Sequence, residues 1–146
     1  MAQTGGRDDP FAAFNFLVEI ENVTVAGFHE VSGLTTETDA IDYRNGNTEN
    51  VLTKLPGLKK ITNIVFKSGY TNSKELWEWR KKVLEGQTER QSGSIVLLNE
   101  NREEVLRWNF REGWPCKWEG PALNAKNNEV AIESLEVCHE GLVLDS

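Results

Sequence analysis

The stretch EVLRWNFR, Glu104–Arg111, alternates apolar side chains with mostly polar ones. Leu106, Trp108 and Phe110 fall on one side of an extended chain, and the residues between them, which include an arginine and an asparagine, fall on the other. A period of two is typical of a β-strand that has one face on a core and one face toward water. The stretch therefore predicts a half-buried strand.

Similar patterns before and after this strand predict a fold that consists mainly of strands. Phe14, Phe16, Val18 and Ile20 alternate in the same way near the N-terminus. The other predicted strands are Val23–Phe28, Val31–Tyr43, Ile61–Ser68, Ser94–Asn99 and a final strand near Val130–His139. The segment GWPCKWEGP, residues 113–121, is predicted to be an irregular connector because of its prolines and glycines.

One helix interrupts the strands. Asn72 and Glu75 have the spacing of a helix N-cap and its reciprocal partner, and Gly86 ends the pattern. The apolar residues between them that repeat at helical spacing are Leu76, Trp79 and Val83. The predicted fold class is mostly β, with an antiparallel barrel or sandwich and one flanking helix.

Length and composition predict one domain. The chain has 146 residues, of which 38% are hydrophobic and 27% charged, enough to bury one core. Residues 1–10 contain glycine, aspartate and proline without apolar periodicity, so we expect a flexible arm there and a single domain over residues 11–146.

The charge excludes some functions. The chain has 23 acidic and 16 basic residues, and the resulting net charge of −7 argues against binding of nucleic acid. The sequence has no apolar run of membrane-spanning length and no signal-peptide pattern, so we expect synthesis in the cytoplasm without a membrane anchor. In that compartment Cys116 and Cys138 are expected to be reduced and not joined to each other.

Catalytic and metal-binding patterns are weak. His139 and Glu140 are not followed by the second histidine of a zinc helix, and the two cysteines and two histidines lack the paired spacing of structural zinc sites. No nucleophile elbow or phosphate-binding loop is present. We therefore predict no enzyme activity, no cofactor and no metal. Two alternatives remain: a small-ligand-binding barrel with Trp114, Trp118 and Tyr43 around a pocket, and, on weaker grounds, a glycoside hydrolase that uses some of the many carboxylates.

The polar tract that begins at Tyr43 carries a resemblance to a known family. Its residues, with those of the following strand, resemble the pattern of tail tube proteins from contractile-tailed phages and extracellular contractile injection systems. The matching residues are Tyr43, Arg44, Gly46, Lys54, Leu55, Pro56, Gly57, Lys60, Asn63, Ile64 and Gly69. A second set near the C-terminus is similar to the closing segment of the same family: Trp114, Pro115, Trp118, Gly120, Pro121, Asn128, Glu129, Val130, Ala131, Glu133, Leu135, Glu136, His139, Glu140 and Gly141.

This resemblance implies a structural protein whose fold is related to the type VI secretion tube protein. It implies that six copies form a ring, that rings stack head to tail into a hollow tube with a continuous inner barrel, and that a sheath drives the tube through a target envelope. The implied partners are further copies of the chain, the sheath protein, the baseplate or hub, a tube terminator and cargo in the lumen. The particle is then a phage tail or a related injection machine.

The tract and its neighbouring strands supply the candidate site residues. The expected contacts to neighbouring subunits or rings are Tyr43, Arg44, Gly46, Val51, Leu55, Pro56 and Gly57. The polar positions expected to line the lumen are Glu37, Asp39, Asp42, Asn63 and Lys67.

Overall fold

The computed structural model describes residues 15–21, 28–43, 53–70, 74–126 and 130–145. The arm predicted over residues 1–10 and most of the strand predicted over Val23–Phe28 lie outside these ranges. The described residues contain one helix and nine strands, in the order β1 (Phe16–Ile20), β2 (Phe28–Ser32), β3 (Thr36–Tyr43), β4 (Thr53–Ile61), β5 (Ile64–Gly69), α1 (Glu75–Leu84), β6 (Gln91–Leu98), β7 (Glu104–Glu119), β8 (Ile132–Cys138) and β9 (Gly141–Asp145). The predicted mostly-β class with one helix is confirmed.

The long strand β7 divides the main sheet into two parts. Its first half pairs with β6 and β9, and we call the sheet of β1, β6, β9 and this half sheet A. Its second half pairs with β8, and we call the sheet of this half with β8, β5 and β2 sheet B. The strand bends where Glu112 has a φ of 54° and Gly113 lies against Phe110. A β-carbon on Gly113 would lie 2.6 Å from Cε1 of Phe110, so a larger residue does not fit at the bend.

The core lies between the two sheets and the helix. Its buried side chains are Ile20, Ile64, Phe66, Leu76, Trp79, Ile95, Phe110, Leu135 and Val137. The predicted inward faces are confirmed, because Phe16 and Val18 pack against this core beside Ile20, and Trp108 packs against it beside Phe110. Burial of each large apolar side chain contributes roughly 1.5 to 3 kcal/mol to folding.

The helix is anchored by two buried side chains and ended by a glycine. Leu76 and Trp79 face the core, and the Trp79 indole N–H donates to the backbone oxygen of Glu89 at 3.0 Å. Gly86 has a φ of 80°, and its N–H donates to the Val83 oxygen at 3.0 Å, so the predicted end of the helix is confirmed. The residue at the N-cap position is Lys74, which makes no capping hydrogen bond through its side chain, while the predicted cap Asn72 lies outside the described residues.

A bent two-stranded ribbon replaces the single strand predicted over Val31–Tyr43. β2 and β5 form its inner half within sheet B, and β3 and β4 form its outer half as a separate hairpin. The break lies at Gly33, whose φ is 91° and whose missing β-carbon leaves room for the backbone oxygen of Asn63. The Thr62 hydroxyl donates to the Gly33 oxygen at 2.9 Å and fixes the bend.

Three other boundaries differ from the predictions. The predicted connector over residues 113–121 is mostly the second half of β7. Pro115 and Trp118 both face the core because a bulge between Pro115 and Lys117 inserts one extra residue. Pro115 lies beside this bulge at the sheet edge, where a missing N–H is tolerated. The tract from Tyr43 to Gly57 is not only a connector, since β4 begins at Thr53. The final strand is shorter than predicted and is followed by β9, which the sequence analysis missed.

Candidate assembly surfaces

Sheet B has an unpaired strand edge on each side. Its strand order places β2 at one edge and the second half of β7 at the other. In the described part of the chain, no strand pairs with the outer edge of β2 or with the outer edge of Trp114–Glu119. A row of unpaired backbone N–H and C=O groups is a template for pairing with another strand. Among the described strands, both edges of sheet B are therefore left without a pairing strand.

The face of sheet B that points away from the core is polar. A row of cross-strand neighbours runs from Glu30 through Lys67 and Ser134 to Glu119. The Lys67 ammonium lies 3.5 Å from the Glu30 carboxylate, and Lys117 adds a second exposed cation. We call this surface the polar face. It mixes both signs of charge, and its surface ion pair contributes little to folding.

Asn63 holds one end of the polar face in place. Its amide donates to the Glu136 carboxylate at 2.7 Å and lies 3.6 Å from the Cys116 sulfur. Asn63 connects the hairpin to β5, so these contacts tie the base of the hairpin to β7 and β8.

The hairpin of β3 and β4 has two different faces. One face carries Ile41 opposite Leu55 and Tyr43 opposite Thr53, and all three large apolar side chains are exposed. Gly57 lies under Ile41, since a β-carbon on Gly57 would stand 2.8 Å from Cδ1 of Ile41. We call Ile41, Tyr43 and Leu55 the apolar tip. An exposed apolar cluster on a two-stranded sheet is typical of a contact surface.

The acidic side chains of the hairpin are divided between its faces. Glu37 and Asp39 alternate with the apolar tip's residues on the same face, and Asp39 pairs with Lys60 at 3.1 Å. Asp42 lies on the opposite face, where it is 3.8 Å from Lys54.

Comparison with protein families identifies the kind of protein that carries these surfaces. Residues 12–143 match the model of the T4-like virus tail tube protein gp19. The chain belongs to this tail tube family. Comparison with curated proteins found no match.

Several solved structures share the fold of this tail tube chain. It is 26% identical to a chain of the PVC sheath-tube complex of an extracellular contractile injection system, with a TM-score of 0.84 over 94% of this chain and 92% of the other. It is 24% identical to a chain of the anti-feeding prophage baseplate, with a TM-score of 0.85 over 94% and 97% of the two chains. Hcp1 from Flavobacterium johnsoniae shares the fold at 15% identity, with a TM-score of 0.54 over 88% and 94%. The predicted family, fold relationship and function as a tail tube protein of contractile systems are confirmed.

The predicted site residues of the tail tube chain do not form one surface. Of the contact candidates, Tyr43 and Leu55 belong to the apolar tip, Gly57 lies under it, and Pro56 lies opposite Ala40. The remaining contact candidates, Arg44, Gly46 and Val51, lie outside the described residues. Of the lumen candidates, Lys67 is on the polar face, Asn63 is at its end, and the other three are on the hairpin. Sequence reasoning missed the free edges, because strand order cannot be derived from alternation.

The residues proposed for a ligand pocket are separated in this fold. Trp118 packs against the core and against Trp77 at a ring-centroid distance of 4.9 Å, and its indole N–H donates to the buried Glu133 at 2.9 Å. Tyr43 lies on the hairpin. The surface groove beside Phe110 and the one beside Leu123 are not lined by Tyr43, Trp114 or Trp118, and a small-ligand barrel is not supported.

His139 has a structural position. Its ring is buried, with Nδ1 3.1 Å from the Gly141 oxygen and Nε2 2.9 Å from the Thr62 oxygen. It therefore joins the turn between β8 and β9 to the base of the hairpin. Among the described residues, no group of three or more His, Cys, Asp or Glu side chains is arranged to hold a metal ion. In the same residues no helix has both the length and the apolar character needed to cross a membrane.

The two cysteines are close neighbours on sheet B. Cys138 lies opposite Trp114, and Cys116 occupies the adjacent bulge, where its thiol donates to the Glu136 backbone oxygen at 3.5 Å. Each is a half-buried free thiol. Burial, followed by a hydrogen bond with Cys138, raises the pKa of Cys116 from 9.0 to about 12.

The raised pKa predicts slow alkylation of the folded protein. The thiolate is the reactive form, so at pH 9 Cys116 should react with iodoacetamide at least about tenfold more slowly in the folded chain than in urea. Between about pH 9 and 12 the folded state holds this proton more tightly than the unfolded state, so the contribution to stability decreases as pH rises. Peptide mass spectrometry measures the rate. Equal rates in both states, or a chain two protons lighter without reductant, would contradict the prediction of two separate thiols.

Proposed function

We propose that the chain forms hexameric rings that stack head to tail into a hollow tube. The observation that carries this proposal is the pair of free edges on opposite sides of sheet B. Pairing of β2 in one subunit with the second half of β7 in the next joins all copies of sheet B into one barrel and leaves no open edge. The contact is heterologous, because two different surfaces meet, and such contacts close into rings when the rotation allows it.

The polar face is the proposed wall of the lumen. A sheet that has its core on one side and a water-filled channel on the other needs apolar residues only at alternate positions, as β5 and β8 have. The mixed charges of Glu30, Lys67, Lys117 and Glu119 hold a polyanion weakly, so cargo can slide. The net charge of −7 likewise disfavours sequence-specific binding of nucleic acid.

The hairpin is the proposed contact to neighbouring subunits or rings. In a single subunit its apolar tip is exposed to water. Burial of each such side chain against a neighbour contributes roughly 1.5 to 3 kcal/mol before the ordering of the contact is subtracted.

The relatives supply the expected partners. The similar solved structures come from a sheath-tube complex, a baseplate that was averaged with six-fold symmetry, a sheath/tube terminator and a tube-terminating cap. By analogy, the partners of this chain are a sheath protein, a baseplate or hub, a terminator and cargo in the lumen. The proposed role is structural and uses neither catalysis nor a cofactor, with assembly in the cytoplasm of the producing cell.

Electron microscopy tests the assembly directly. Negative-stain images of the purified chain, alone and with its baseplate, should show six-fold rings and tubes, and light scattering should show a mass that increases in steps of six subunits. A chain that stays monomeric at high concentration and forms no rings with its baseplate would refute the proposal.

The divided charges of the hairpin predict that only one acidic set faces the lumen. We expect that either the double change Glu37→Lys with Asp39→Lys or the single change Asp42→Lys alters cargo retention, while the other leaves it unchanged. Both variants should still fold, because all three side chains are exposed or half-buried in the subunit. Retention is measured by the cargo that copurifies with each tube. If either variant fails to fold, its residues are needed within the subunit and their assignment to the lumen is wrong.

A further inference from the structure

The two free edges of sheet B carry different charges on the polar face. The edge strand β2 presents Glu30 and, two residues further, the uncharged Ser32. The second half of β7 presents Lys117 and Glu119, which are both exposed and make no ion pair with another described residue. Each subunit therefore ends in one negative charge at one edge and in one charge of each sign at the other.

The pairing inside sheet B determines which edge residues lie at the same level. Two neighbouring rows of the polar face cross the sheet from β2 to β7, one through Glu30, Lys67, Ser134 and Glu119 and the other through Ser32, Val65, Glu136 and Lys117. In an in-line junction each row continues into the same row of the next subunit. Such a junction places Glu30 of one subunit opposite Glu119 of its neighbour, so that two carboxylates meet.

Only even shifts of this junction are compatible with the fold. Side chains alternate between the two faces, so a shift by one residue would place polar-face side chains of one subunit beside core-facing side chains of the next. A shift by two residues in one direction places Lys117 opposite Glu30, and in the other direction it places Glu119 opposite Ser32. Closure of a sheet into a barrel requires tilted strands and a staggered register, which in-line junctions do not supply.

We propose that the junction within a ring is staggered by two residues, with Lys117 of one subunit opposite Glu30 of its neighbour. The inference rests on the proposed function, and it adds the register of the junction and the residues that determine it. Of the three registers, this one alone places opposite charges directly across the junction, where such pairs are stabilising. Glu30 then lies between Lys67 of its own subunit, 3.5 Å away, and Lys117 of the neighbour.

The backbone of β7 limits the junction on one side. Pro115 has no N–H, and its carbonyl oxygen accepts a hydrogen bond from the Arg80 guanidinium at 3.4 Å. This position therefore offers a neighbouring strand no donor, and its acceptor is already engaged by the helix. Lys117 is the first charged residue of β7 beyond Pro115, so the proposed pair lies at the start of the stretch that can extend the sheet.

Charge reversal tests the register. Lys117→Glu should raise the protein concentration at which rings form by about tenfold, because two carboxylates then meet at both junctions of each subunit. The matched control Glu119→Lys should change this concentration by less than about twofold. Adding Glu30→Lys to Lys117→Glu should recover at least about threefold of the loss. Light scattering measures ring formation, and thermal unfolding of the dilute subunit should change little because all three side chains are exposed.

The in-line register predicts the opposite order of effects. In that register Glu119→Lys removes a repulsion and lowers the concentration needed for rings, while Lys117→Glu lies opposite an uncharged serine and has the smaller effect. That order, or a double variant that assembles no better than Lys117→Glu, would overturn the proposed register.

Carbodiimide cross-linking of parent rings is a second test that needs no substitution. The reagent joins a carboxylate and an amine in contact to form an amide, with loss of water. Within one subunit Glu30 and Lys117 lie on strands three spacings apart, about 14 Å, so an amide between them forms only between subunits. Peptide mass spectrometry should find this amide in rings and not in the dilute monomer. The Glu30–Lys67 pair within the subunit is the positive control.

The outcomes separate the register from the assembly itself. Rings that yield the Glu30–Lys67 amide without the Glu30–Lys117 amide overturn the proposed register and leave the ring proposal intact. A parent chain that forms no rings overturns both.

Discussion

Tubes of a Leu55→Gln variant are expected to need at least about tenfold more protein to form than tubes of the parent. Leu55 is 44% exposed in the subunit and belongs to the apolar tip. If a neighbour covers it, the change removes about 1.5 kcal/mol of apolar burial from every contact, and 1.4 kcal/mol corresponds to a factor of ten. Leu55 is on a separate two-stranded sheet and is already partly exposed in the subunit, so the free energy of unfolding should fall by less than about 1 kcal/mol.

A leucine elsewhere on the surface provides the control for this change. Leu84 is 59% exposed at the end of α1, and Leu84→Gln makes the same chemical change outside the proposed contacts. Light scattering gives the concentration at which tubes form, and thermal unfolding of the dilute subunit gives its stability. Equal losses of assembly in the two variants, or equal losses of assembly and stability in Leu55→Gln, would contradict an assembly role for the hairpin.

Gly33→Ala is expected to be the most damaging single-atom addition to the ribbon. The φ of 91° strains any residue with a β-carbon by about 1 to 2 kcal/mol, and the added carbon collides with the backbone oxygen of Asn63. The backbone must move to relieve this contact. We therefore expect a total loss of at least about 3 kcal/mol in the free energy of unfolding, together with loss of tubes because the hairpin changes its direction.

Gly86→Ala is the control for Gly33→Ala, because it introduces backbone strain at a positive φ without a steric collision. Gly86 has a φ of 80°, and an added β-carbon there meets no atom within 4 Å. Its cost should be about 1 kcal/mol, which for a chain of this size is about 2 to 4 °C in Tm, and tubes should still form. The two Tm values and electron micrographs check the comparison. If Gly33→Ala loses no more stability than Gly86→Ala, the bend at Gly33 is not tightly constrained.

The elements that the sequence predicted well are those whose side chains obey one period over their whole length. In β1 and in the first half of β7, Phe16 and Phe110 mark faces that do pack on the core. The helix was predictable because Leu76 and Trp79 repeat at helical spacing and Gly86 can adopt its positive φ. These signals are local and do not depend on distant contacts.

The errors have tertiary causes. The second half of β7 contains a proline and a bulge, which are turn signals in isolation, but its pairing with β8 makes it a strand. The Val31–Tyr43 prediction had no signal strong enough to separate β2 from β3, because the break depends on the approach of Asn63 to Gly33.

The candidate site was only partly predictable for the same reason. Leu55 and Tyr43 were found because they are apolar residues in a polar tract, which is a local property. The polar face combines residues from β2, β5, β7 and β8, so it forms only when these strands are arranged in the observed order. Alternation identified Lys67 as outward-facing and puts Glu37 and Asp42 on opposite faces of their strand, but it could not show where either of those faces lies relative to the core.

Sheet B contributes four antiparallel strands, so its two edge strands run in opposite directions. When identical subunits stand side by side, each junction between edges is then antiparallel as well, and the alternation continues around the ring for any number of copies. Hydrogen bonding between the strand edges therefore does not determine the number of subunits in the ring. In the proposed ring, the circumference depends on the angle at each junction, and the side chains of β2 and of the second half of β7 would set this angle. Substitutions there should change the diameter of the ring before they prevent its closure.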